Sequence, residues 1–234
     1  MRVEIWSDVV CPWCYIGKRN FEAALERFEH RDEVGVVWRA FELDPRAPAV
    51  REGDYASRIA RKYGIPLGEA RAKLARMTSA AAEVGLDFRF DRAQPGNTFD
   101  AHRLIHLGAA RGIQDAVKER LLLATFTEGE TIGERATLLR LAVDAGLDEA
   151  EATAVLDGDA YADDVREDEV RAAAMDISAV PFFVIDGTFG IPGAQPTDTF
   201  LSVLQRAWDR THAPALVIPT ASDGPGCEGD DCAI

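Results

Sequence analysis

Long apolar runs are absent: nothing in the 234 residues approaches the stretch of about 20 that crosses a bilayer as a helix. The start does not read as a secretory leader either. Met1-Arg2-Val3-Glu4-Ile5-Trp6 holds one basic residue and soon meets Asp8, with no basic region, apolar region and small-residue cleavage site in series, so a cytoplasmic setting is expected. Basic residues are in deficit, 26 Lys and Arg against 40 Asp and Glu, for a formal net charge of −14. Such a chain repels nucleic acid and anionic membrane surfaces, and no clustered basic face is evident, so neither is expected as a partner; the acidity reads as solubility. Histidine is scarce, with four in all, and His30, His106 and His212 share no metal-ligand spacing. Apolar residues nevertheless supply 47% of the chain, enough for a sizeable core.

Arg2 to Val10 is rich in Val, Ile and Trp and reads as a strand. Phe21, Ala24, Leu25 and Phe28 fall at the spacing of one buried helix face, and Val34 to Phe41 alternates as a second strand. This βαβ unit is expected to cross over right-handed. Toward the other end Pro181 to Ile185 reads as a strand, Asp186-Gly187 as a tight turn, and Phe189 to Ile191 as the hairpin partner. Thr197 to Arg210 follows as a helix burying Phe200, Leu201, Leu204 and Trp208. Between these parts Ala, Leu, Arg and Glu dominate at helical spacing, punctuated by segments such as Gly64-Ile65-Pro66 and Gln94-Pro95-Gly96-Asn97, without a fixed-period repeat. The expected fold is α/β: a βαβ part over 1–53, a large α-helical insertion over 54–175, a ββα part over 176–210, and a mobile tail over 211–234.

Only four cysteines occur, as two close pairs, Cys11/Cys14 and Cys227/Cys232. In a reducing compartment such pairs suggest redox chemistry or metal binding before structural bridges. In Cys11-Pro12-Trp13-Cys14 two spacer residues let both sulfurs meet within one helical turn, as exchange between an attacking and a resolving thiol requires. Cys11 falls at a helix start, where free N–H groups and the helix dipole favour a thiolate; Cys14 is expected to be more buried, and Pro12 suits the first turn. A zinc site shared with Cys227/Cys232 fits less well, because one pair opens a regular helix and the other lies in the tail, not on compact knuckles. Val180-Pro181 heads a strand, where proline is tolerated; a cis bond there exposes the preceding backbone to a substrate beside Cys11, an ordinary trans proline being the alternative. His102 either faces Cys11 from the helical part or packs and caps, with Asn97 or Thr98 capping its helix. Asp8 either helps proton transfer to Cys14 or stabilises its turn. Glu228, Asp230 and Asp231 disfavour thiolate at Cys227 and Cys232, whose pair reads as an electron relay or as part of an inert tail.

Taken in order, SDVVCPWCYIGK (Ser7 to Lys18), NTFDAHRL (Asn97 to Leu104), AVPFF (Ala179 to Phe183) and GAQP (Gly193 to Pro196) resemble the DsbA-like family of the thioredoxin superfamily, most closely its FrnE-like branch. The resemblance implies a thioredoxin-like fold with the helical insertion between its βαβ and ββα halves, and thiol–disulfide oxidoreductase or isomerase activity. It assigns Cys11 as nucleophile, Cys14 as resolving thiol and Pro181 as the cis-proline, and implies a C-terminal Cys-x4-Cys element matched by Cys227 and Cys232. Pro12, Trp13, Val180 and His102 are expected beside the substrate. Trp13 stands where the periplasmic DsbA pattern has histidine; it cannot supply a cation to the thiolate, so a milder couple is expected, and Trp13 serves as an apolar platform or caps the core. Pro192 stands where the pattern has serine. The same superfamily branch includes kappa-class glutathione transferases and 2-hydroxychromene-2-carboxylate isomerases, which carry serine at the position of Cys11 and use glutathione's thiolate; they define the alternative function, acting on a small aromatic or polyketide-like substrate. No metal and no organic cofactor are expected. Expected partners are thiol- or disulfide-containing proteins or small molecules, with glutathione or a thioredoxin-type reductant as electron source.

Overall fold

Val3, Ile5 and Trp6 are fully enclosed, as expected of a strand with helices on both sides of it. They belong to β1 (Arg2–Ser7), the inner strand of a sheet ordered β2-β1-β3-β4 in a computed structural model that describes residues 1–51 and 53–212. β2 (Gly35–Ala40) pairs parallel with β1, from Arg2 opposite Gly35 to Ser7 opposite Ala40. β3 (Phe182–Ile185) runs antiparallel on its other side, and β4 (Phe189–Pro192) completes the hairpin. Asp186 and Gly187 both take the left-handed backbone that so tight a turn needs.

The two sheet faces are covered differently. On one, α1 (Pro12–Arg27) and α9 (Thr197–Thr211) bring Phe21 and Phe200 against Phe183, with ring centroids 5.4 and 4.5 Å from it. On the other, Trp6 and Val184 meet Ala172 and Ile177, Ala172 lying on α8 (Ala162–Ala174). In the chain, α2 (Tyr55–Tyr63), α3 (Leu67–Glu83), α4 (Phe99–Ala110), α5 (Gln114–Leu123), α6 (Arg135–Asp144), α7 (Glu149–Asp157) and α8 all fall between β2 and β3. Four strands with helices on both faces give the α/β thioredoxin-like fold expected from the sequence.

Local chemistry moves several boundaries. β1 stops at Ser7, short of Val10, because the Asp8 carboxylate accepts the Leu43 N–H at 2.8 Å and draws the chain out of the ladder. Pro181 stays outside β3, having no N–H to give, although its carbonyl accepts the Gly193 N–H at 2.8 Å. In α9, Phe200, Leu204, Ala207 and Trp208 are buried while Leu201 is only half-buried, on the flank of the apolar stripe. Asn97, not Thr98, supplies the side-chain acceptor at the start of α4, taking the Phe99 N–H at 3.0 Å. Among the described residues no helix is long and apolar enough to cross a membrane. Cys227 and Cys232 lie outside the described residues.

Candidate active site

Cys11 occupies the N-cap of α1 with extended backbone, and Pro12 follows at the helix start, where its missing N–H costs nothing. One turn on, the Cys14 N–H donates to the Cys11 carbonyl at 3.0 Å. Both cysteines are free; Cys11 keeps 4% of its surface and Cys14 none, so Cys11 is the outward sulfur. The Cys11 thiol donates to the Val180 carbonyl at 3.5 Å, and the Val180-Pro181 bond is cis. Gly17 lets α1 approach this loop: a Cβ there would lie 3.0 Å from Pro181 Cγ.

The two thiols divide the charge unequally. The hydrogen bond to Cys14, together with burial, pushes Cys11 well above the usual thiol range. Burial opposes a thiolate at Cys14 as well, but the Cys11 thiol and the Lys118 ammonium outweigh it and hold Cys14 below its ordinary value.

Behind the pair sits Asp8, fully buried. Burial raises its pKa, yet His102 and the Leu43 N–H bring it below the usual carboxylate value overall. His102 Nε2 lies 3.4 Å from Asp8 Oδ1, and the His102 side chain is 2% exposed. The His102 ring is enclosed and turned to Asp8, and it does not line the groove in front of Cys11. Trp13, at 44% exposure, stands out from the core.

In front of Cys11 opens a groove of about 860 Å³ lined by Pro12, Trp13, Val180 and, from the helical part, Tyr55, Tyr63 and Met77. A second cavity of about 530 Å³ adjoins it, sharing Val10 and Tyr55 and reaching Asp8. Arg58, Arg61 and Lys62 line the second cavity and Arg76 the first. Among the described residues these four form no ion pair, unlike Arg51 and Lys73 nearby, which meet Asp44 and Glu69. Arg58, Arg61 and Lys62 belong to α2 and Arg76 to α3; Lys62 and Arg76 line the same groove as Cys11 on an otherwise acidic protein. Lys118, whose part sequence reasoning missed, reaches the back of the site from α5, and nothing in its helical spacing distinguished it from a surface lysine. Among the described residues no group of three or more His, Cys, Asp or Glu side chains is arranged to hold a metal ion.

A DSBA-like thioredoxin domain family model matches residues 2–205. A probable DsbA oxidoreductase from Streptomyces coelicolor is 42% identical, with 97% of each chain covered and a TM-score of 0.87. The uncharacterized protein YwbO of Bacillus subtilis is 29% identical over 206 residues, 86% of this chain and 94% of YwbO. A 2-hydroxychromene-2-carboxylate isomerase shares the fold at 14% identity, with a TM-score of 0.65 over 90% of this chain and 98% of its own. With its Cys11/Cys14 pair opening α1 and a family match spanning nearly the whole described chain, the protein belongs to the DSBA-like thioredoxin domain family.

Proposed function

We propose that the protein is a thiol–disulfide oxidoreductase of the FrnE-like type, exchanging disulfides through Cys11 and Cys14 in a cytoplasmic setting. The observation that carries this reading is the Cys11 sulfur at the edge of an open groove, facing the Val180 carbonyl, with Cys14 one turn behind it. Cys11 attacks one sulfur of a substrate disulfide, forming a mixed disulfide and releasing the other half as thiolate. Cys14 then attacks the Cys11 sulfur, closing the enzyme disulfide and releasing the second substrate thiolate; the reverse sequence oxidises a dithiol. Trp13, Pro12 and Val180 hold the substrate chain. Electrons return through a small thiol, a thioredoxin-type reductant or the Cys227/Cys232 pair.

Covalent trapping tests the reading. Reduced Cys14→Ser incubated with a peptide disulfide should accumulate a mixed disulfide at Cys11, visible by intact mass as a nearly stoichiometric adduct, while Cys11→Ser should form none. An unadducted Cys14→Ser protein would sink the proposal.

A second reading is favoured by cations that form no ion pair among the described residues and line the cavity adjoining the Cys11 groove: carboxylate-bearing small thiols such as glutathione enter it, as a glutathione-dependent isomerase or transferase requires. Charge reversal of Arg58 and Lys62 should raise KM for glutathione disulfide about tenfold, near 1.4 kcal/mol, with kcat and the use of a neutral disulfide little changed. Equal effects on both substrates would show that these cations do not select charge.

A further inference from the structure

The groove in front of Cys11 departs in charge from the chain that forms it. Asp and Glu outnumber Lys and Arg by 40 to 26, yet among the described residues no Asp or Glu lines this groove, while Lys62, Lys73 and Arg76 do. Lys73 is held by Glu69 at 3.6 Å; Lys62 and Arg76 are exposed and form no ion pair among the described residues. The adjoining cavity is mixed, since Asp8 and Asp44 line it along with its cations.

Much of the remaining lining is apolar. Trp13 and Tyr63 leave 44% and 61% of their surface uncovered, and Ile65 and Met77 also line the groove. Exposed apolar surface gathered in one place and edged by polar groups marks an interaction site. The walls come from α1, from the loop before β3 through Val180, and from α2 and α3. A ligand that fills the groove therefore meets the Cys11 sulfur and both unpaired cations together. At about 860 Å³ the groove lies near the upper end of the roughly 300–1,000 Å³ of small-molecule sites, room for several residues of a chain.

We propose that this groove selects acidic polypeptide segments: a disulfide-bearing stretch with an apolar residue beside its cysteine and Asp or Glu further along. The inference rests on the disulfide-exchange reading and names the substrate class of that site. The apolar residue covers Trp13 and Tyr63, and the carboxylates meet Lys62 and Arg76. Nucleic acid, the other common polyanion, brings no sulfur to Cys11 and is repelled by the net charge of −14. An acidic segment meets that repulsion too, but salt screens it beyond about 8 Å, whereas contacts with the groove's cations are screened much less. In the exchange step the Cys11 thiolate bonds to the segment's cysteine sulfur and the segment's S–S bond breaks. The far sulfur leaves as a thiolate and takes a proton from solvent; the electron pair is that of Cys11, and no outside oxidant is consumed.

Three peptides test the proposal, alike except that Glu, Gln or Lys flanks one apolar–cysteine pair, each carried as the mixed disulfide with 2-mercaptoethanol. Reduced full-length protein, with Cys227→Ser and Cys232→Ser to confine exchange to Cys11 and Cys14, is mixed with each peptide, and its oxidation is followed by intact mass. Every rate constant is divided by that of dithiothreitol with the same peptide, because acidic neighbours repel any thiolate. The Glu peptide should then exceed the Gln peptide about tenfold, with the Lys peptide slowest. In the double variant Lys62→Glu/Arg76→Glu the order should invert; a ratio taken within one protein cancels any general loss of rate. Raising salt from about 0.05 to 0.5 M should shrink the wild-type ratio severalfold. Equal rates for the three peptides overturn the proposal, and glutathione disulfide outpacing all of them would give the groove to small thiols. An acidic preference that survives both charge reversals overturns it as well, since its origin then lies elsewhere. A wild type that exchanges with none of the peptides removes the exchange reading instead. The affinities of the same peptides with alanine for cysteine then decide: Glu about tenfold tighter than Gln upholds the groove's selection, and equal binding ends it.

Discussion

Cys11→Ser is expected to bring disulfide reduction and dithiol oxidation down to the uncatalysed rate, a loss on the order of 10³-fold or more, while the protein stays folded. A hydroxyl cannot form a mixed disulfide, so the first covalent step has no substitute; Cys14, wholly enclosed, cannot reach a substrate in its place. The serine fits the site, because its hydroxyl can donate to the Val180 carbonyl that the Cys11 thiol faces at 3.5 Å. Thermal unfolding should accordingly move by only a few degrees. Rates of reduction and oxidation for wild type and variant, beside a glutathione-only control, check the expectation. If glutathione-dependent turnover of a small substrate survives in Cys11→Ser, the glutathione itself brings the thiolate, and the isomerase or transferase reading takes over. The pH profile adds a second check. Hydrogen bonding to Cys14 and burial push Cys11 upward, so capture of substrate by the wild type should accelerate with rising pH through neutrality.

The parts legible in the sequence are those in which neighbours along the chain decide the outcome. The β3–β4 hairpin follows from two apolar runs flanking Asp186-Gly187, and the start of α1 follows from Cys11-Pro12 behind a Val- and Ile-rich strand. Parts decided across the fold were not legible. The end of β1 depends on Leu43 donating to Asp8, a partner 35 residues away. His102 lies on an apolar helix face that serves equally to reach the site or to back it, and only the packing of α4 against the loop after β1 turns it toward Asp8. Arg76 joins the cations of α2 only when α2 and α3 pack together. Lys118 shares α5 with Asp115, Glu119 and Arg120 in a pattern that marks no buried polar position, and the Ser7 carbonyl that its ammonium meets lies at the end of β1.

Asp168 is the strongest such case and sets the largest expected loss of stability. It sits among Asp163, Asp164, Glu167 and Glu169 on α8, a run that reads as a solvated helix face, yet it is 2% exposed. Its carboxylate accepts the Ala40 N–H at 2.9 Å and an Arg39 guanidinium N–H at 3.1 Å, and stands 3.0 Å from His106 Nε2. Its backbone carbonyl accepts the Trp6 indole N–H at 2.9 Å. α8 is thus clamped to the ends of β2 and β1. Asp168→Ala would leave the Ala40 N–H and the Arg39 guanidinium facing an enclosed gap, a cost of about 3–5 kcal/mol. For a chain of this length that corresponds to a fall in Tm of roughly 10 °C, measurable together with the midpoint of urea unfolding. Asp168→Asn keeps an oxygen for Ala40 and gives up the charge, so it should lose about half as much. Equal losses in the two variants would assign the effect to Arg39 and His106 instead of the backbone. Ala40 pairs with Ser7, the last residue of β1 before Asp8 and Cys11. A weakened clamp therefore reaches the strand end from which the redox helix departs, and exchange activity in Asp168→Ala should fall at temperatures below global unfolding.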